Sequence, residues 1–179
     1  MVNSLQWLPG VLRAAGLKVV EYPGWRDRGR GPLNPKFIIC HHTASNKKSG
    51  NAPSLKLVAE GRHDLAGPLS QLVLARDGTW HVTAAGKSNH AGAGFWKGVS
   101  SGNAWAIGIE AENDGIGEPW PEAQLDSYAR GVAAILKKLD KDESWCCGHK
   151  EYALPKGRKI DPSFDMDAFR ARVAKHLAD

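Results

Sequence analysis

The run Phe37-Ile38-Ile39-Cys40, closed by His41-His42, constrains this chain more than any other feature. Apolar side chains at consecutive positions give a strand neither of whose faces suits water, so it belongs inside a covered sheet. Alternation puts Phe37, Ile39 and His41 on one face and Ile38, Cys40 and His42 on the other, so only one of the two histidines can point at a given site.

Cover and neighbouring strands come from the rest of the chain. Leu5, Leu8, Leu12 and Ala15 recur at helical spacing before Gly16, and Leu125, Tyr128, Val132, Ile135 and Leu136 do so over 121–140, where Lys137 and Lys138 suit the end of the helix dipole. Residues 53–67 read as a helix opened by Pro53, and 166–177 as a closing helix. Residues 71–75 and 80–83 flank Asp77-Gly78, the signal of a β-hairpin. Ala106 to Glu112 alternates, with Ile107 and Ile109 on one face and Glu110 and Glu112 on the other. Residues 145–149 read as a brief strand, and the stretches 26–35, 86–102 and 154–160 as loops. Helices and strands in no strict βαβ order predict an α/β fold, a central mixed β-sheet flanked by α-helices. Residues 1–35 form a short helix-and-loop arm of the same domain, and 36–179 its main body.

With 179 residues, one domain is expected. Lys and Arg number 24 against 19 Asp and Glu, a formal charge of +5 that favours an anionic partner without choosing among nucleic acid, lipid surface and wall polymer. Nucleic acid has only this charge behind it, since no zinc-finger, RNA-recognition or Walker pattern is present. The first ten residues lack a basic leader and are broken by Pro9-Gly10, and no stretch approaches the roughly 20 apolar residues of a membrane span. Synthesis in a cytoplasm without a signal peptide, and no membrane insertion, are expected. Cys40, Cys146 and Cys147 read as reduced thiols, with Cys40 in the core.

His41 and His149 each close an apolar strand, a rigid place from which to present a side chain. Asp161 follows His149 by twelve residues. Two imidazoles and a carboxylate with an open fourth position match a catalytic zinc, but the spacing is no compact metal signature, and packed or surface histidines account for the residues as well. Cys147, on the face of His149, is a fallback ligand. Trp80, Trp96, Trp105 and Trp120 are candidates for stacking on sugar rings, though at least half suit structural roles.

Five motifs in order, residues 37–44, His90-Ala91-Gly92, Ile107 to Asn113, Gly148-His149 and Arg158 to Pro162, resemble the zinc N-acetylmuramoyl-L-alanine amidases of the amidase-2 and peptidoglycan-recognition-protein superfamily. The resemblance runs from about Lys36 to the C-terminus and is nearest to endolysins of actinobacteriophages. It implies one Zn2+ held by His41, His149 and Asp161, Glu110 as the group that moves the water's proton, and Lys159 as oxyanion stabiliser. It further implies that His90 and Arg158 contact the substrate. The implied activity is cleavage of the amide between N-acetylmuramic acid and L-alanine of peptidoglycan, by a monomer that reaches the wall through a membrane pore. A cytoplasmic muropeptide-recycling amidase and a non-catalytic peptidoglycan receptor are the alternatives.

Overall fold

The computed structural model describes residues 4–179. In chain order it contains α1 (Leu8–Ala14), β1 (Val19–Glu21), β2 (Phe37–His42), α2 (Leu55–Glu60), β3 (Gly61–Arg62), β4 (Leu65–Ala66), β5 (Leu72–Leu74), β6 (Trp80–Val82), α3 (Gly102–Trp105), β7 (Ala106–Ala111), α4 (Glu122–Lys138), β8 (Cys146–Gly148), α5 (His149–Tyr152) and α6 (Met166–Ala178). Six strands form one sheet in the order β1-β6-β5-β7-β2-β8. The hairpin pair β5 and β6 is antiparallel, and every other neighbouring pair is parallel. The sheet is thus mixed and flanked by helices, as the element order predicts.

Burial follows the alternation of β2. Ile38 and Cys40 join Ile107, Ile109 and Cys146 in the larger core, under side chains of α1, α4 and α6. Phe37 and Ile39 join Ala106, Cys147 and Tyr152 in a smaller core on the opposite face. All six β2 residues are buried, which is why an apolar run with no polar face is stable there. Close packing on the α4 side depends on Gly131, where a Cβ would fall 2.2 Å from the Trp80 ring.

From Ser4 onward the front of the chain is built into this body. Leu5, Leu8 and Leu12 are fully buried in the larger core, and β1 forms the sheet edge beside β6. Residues 1–3 of the expected arm lie outside the described residues.

Two elements differ from expectation. The helix expected over 53–67 stops at Glu60, and β3 and β4 form a small antiparallel ribbon instead. Beyond Ala59 the polar run Glu60 to Asp64 offers no apolar stripe to bury. Gly61, at φ +93°, and Gly67 then let the ribbon's ends meet, since a Cβ on Gly61 would lie 2.2 Å from the Gly67 nitrogen. The strand expected through His149 ends at Gly148, whose N–H donates to Glu151 Oε2 at 2.8 Å. That capture starts a helical turn, so His149 is the first residue of α5.

Candidate active site

The strands β2, β7 and β8 run parallel, and their C-terminal ends share one edge. His41 is the register partner of Glu110, and Cys40 that of Gly148, so His41, Glu110 and His149 stand side by side there. Asp161 comes from the loop after α5, pinned by Lys150 N–H donating to Asp161 O at 2.8 Å, and precedes a cis Asp161–Pro162 bond. The Nδ1 atoms of His41 and His149 are 3.1 Å apart, and Asp161 Oδ2 lies 3.0 Å from the first and 3.2 Å from the second. Ligand atoms about 2.0–2.1 Å from a tetrahedral zinc stand about 3.3 Å from one another, so this spacing fits three corners of such a site. Among the described residues this is the one cluster of His, Cys, Asp and Glu able to hold a metal ion. Glu110 stands beside the cluster, with Oε1 3.9 Å from His41 Nδ1 and Oε2 buried without a partner among the described residues.

The electrostatics suit a metal and a base. Burial drives the His41 pKa down to about 4, outweighing the pull of Asp161, so the ring is neutral at pH 7 as a ligand must be. Burial opposes ionisation of Asp161, yet the His149 and His41 imidazoles beside it hold its carboxyl well below the usual range. Glu110 goes the other way: burial, then the carboxylates of Asp161 and Glu112, raise it well above an ordinary glutamate while Lys159 opposes them. A carboxylate shifted toward neutrality is the kind that can both take and return a proton.

The family Amidase_2, described as N-acetylmuramoyl-L-alanine amidase, matches residues 31–164. The chain belongs to this amidase family. A search of curated protein sequences finds no match. Among solved structures, a selenomethionine derivative of AmpD is 22% identical with TM-score 0.62, the alignment covering 97% of this chain and 99% of that one. The amidase LysC from Clostridium intestinale URNW is 20% identical with TM-score 0.65, covering 87% and 97%. AmiD from E. coli, in complex with the substrate anhydro-N-acetylmuramic acid-L-Ala-D-gamma-Glu-L-Lys, is 20% identical with TM-score 0.63, covering 86% and 65%. At these identities the structures speak for a shared fold.

In the amidase, the other residues singled out from sequence occupy varied places. His90 is half-buried against His41, its Nδ1 3.0 Å from His41 Nε2. Arg158 is exposed, and donates to the carbonyls of Ala93 (2.6 Å) and Leu154 (2.9 Å). Lys159 is exposed, near enough for its charge to act on both His41 and Glu110. Cys147 lies outside the cluster, packed in the smaller core with Sγ 3.7 Å from Ile38 O. His42 points to the opposite face from His41 and accepts from Ser163 N–H at 3.1 Å. Trp80 is fully buried, with Nε1 donating to Ser127 Oγ, and cannot stack on a sugar. Sequence reasoning missed two residues. Asn103 Oδ1 accepts from the N–H groups of His90 and Ala91, at 2.9 and 2.8 Å. Glu112, fully buried, accepts from Thr43 Oγ1 and from Ser54 N–H, both at 2.8 Å, and so secures the loop after β2. Alternation puts Glu112 on the face of Glu110 but does not reveal its role, and Asn103 lies in no spacing pattern, because the partners of both are brought close only by the fold.

Proposed function

We propose that this amidase is a zinc-dependent peptidoglycan hydrolase of the endolysin type, with His41, His149 and Asp161 as metal ligands. The observation that carries the reading is the convergence of two Nδ1 atoms and one carboxylate oxygen beside a buried, unpartnered Glu110 oxygen. Zinc, when bound, supplies a Lewis acid that polarises the scissile carbonyl and makes water a nucleophile near neutral pH. Glu110 receives the attacking water's proton on its free oxygen and returns it to the departing L-alanine nitrogen. Lys159 offers its ammonium to the oxyanion that develops on the carbonyl, and Arg158 braces the loop at 91–93 beside the substrate. The formal charge of +5 favours an anionic wall.

The test is metal analysis together with release of new L-alanine amino termini from intact cell walls. Wild type takes up one zinc and cleaves, whereas His41→Ala, His149→Ala and Asp161→Ala lose both properties. Retained cleavage in all three variants overturns the ligand set. The alignment with AmpD over nearly the whole of both chains supports a muropeptide-recycling amidase as the second reading. Cleavage of soluble muropeptides with none of intact walls would favour it. Binding of muropeptide without cleavage in the presence of zinc would favour a receptor.

A further inference from the structure

His90 and Ala91 meet both imidazoles of the site on their far sides. His149 Nε2 lies 2.9 Å from Ala91 O, and His41 Nε2 lies 3.0 Å from His90 Nδ1. His90 Nε2 in turn lies 3.3 Å from Ala106 O. A carbonyl oxygen only accepts, which fixes where the protons go. His149 gives an Nε2–H to Ala91 O, so a metal on that ring takes Nδ1. His90 gives its Nε2–H to Ala106 O, and its Nδ1 can accept the Nε2–H that His41 carries when a metal takes the His41 Nδ1. Both Nδ1 atoms face the same point.

The segment is built to stay in place. Asn103 Oδ1 binds the N–H groups of residues 90 and 91, and Arg158 holds the carbonyl of Ala93. The His90 ring lies against Gly108 of β7, where a Cβ would come within 2.7 Å of it.

We propose that His90, through its ring, and Ala91, through its carbonyl, are positioning groups that lock His41 and His149 in their Nε2–H tautomers and so prearrange both Nδ1 atoms for a metal. The proposal rests on the ligand reading above, and groups behind a metal's ligands commonly govern affinity by about 10–100-fold.

Two measurements test it. Nitrogen-15 NMR of the histidine rings in the wild-type protein is expected to show His41, His90 and His149 all protonated on Nε2 and not on Nδ1 once zinc is added. Protonation of His90 on Nδ1 overturns the proposal. Chelator competition is expected to show zinc affinity reduced about 10–100-fold in His90→Ala. Partial recovery is expected in His90→Gln, whose amide oxygen can accept from His41. Circular dichroism and thermal melts of the metal-free variants check that they fold. Zinc uptake by wild type with equal affinity in His90→Ala overturns the positioning role alone. Absence of zinc uptake by wild type overturns the ligand reading, and this proposal with it.

Discussion

Glu110 keeps a buried carboxylate oxygen that no donor among the described residues satisfies, and an orphan of this kind costs on the order of 1–3 kcal/mol. That cost makes sense if the oxygen is kept for the reaction. Glu110→Gln preserves size and removes the proposed base, so kcat should fall by about 10²–10⁴-fold with zinc content unchanged. A drop in zinc content instead would make Glu110 part of the metal site. Glu118 provides a contrasting test. Arg76 donates to its carboxylate at 2.7 and 2.9 Å, and this bond, against the opposing effect of burial, lowers the Glu118 pKa. A depressed folded pKa stabilises above the unfolded value of about 4.3 and ceases to do so as pH falls through the folded one. Wild type should therefore exceed Glu118→Gln in stability by roughly 1–3 kcal/mol at pH 7, with the gap closing in urea melts below about pH 4. At this scale strand alternation separates His41 from His42 without any structure. It does not reveal the roles of Asn103 and Glu112, whose partners lie 12 to 69 residues away in sequence.

The elements with a full apolar stripe are legible, and those without one are not. The helix over Glu122–Lys138 buries Tyr128, Val132, Ile135 and Leu136, as its periodicity predicts. Local preference and packing conflict at Gly131. Alanine there gains about 1 kcal/mol of helix propensity, but its Cβ would meet the Trp80 ring, which is fully buried and tied to Ser127. Overpacking of a filled core costs roughly 1–3 kcal/mol, so Gly131→Ala should be net destabilising in equilibrium unfolding, and a gain would mean that the ring can move aside. The misread helix over 53–67 fails for the complementary reason. Its second half has no apolar stripe, and two glycines meeting across a ribbon leave no periodic trace. Likewise, the switch from strand to helix at Gly148 turns on a side chain three residues ahead, Glu151.

For the whole molecule, the decisive feature is that three parallel strands end on one edge with an imidazole or a carboxylate at or beside each end, the place where open α/β sheets present ligand sites. A site assembled from positions 41, 110, 149 and 161 exists only in the folded state, so a metal bound there stabilises folding. Zinc at a thousandfold above its dissociation constant should add about 4 kcal/mol and raise the melting temperature by on the order of 10 °C. Chelation should reverse the shift, and Asp161→Ala should show almost none. The sequence by itself determined the buried strand, the mixed sheet under helices and the five ordered motifs, because hydrophobic period and local chemistry act between near neighbours. Only the tertiary structure decided the pairing of His41 with Glu110, the 3.0–3.2 Å meeting of three ligand atoms, and the setting of His90 behind His41. Those distances depend on strand register and on loops held by single hydrogen bonds across long stretches of chain, which no local pattern encodes.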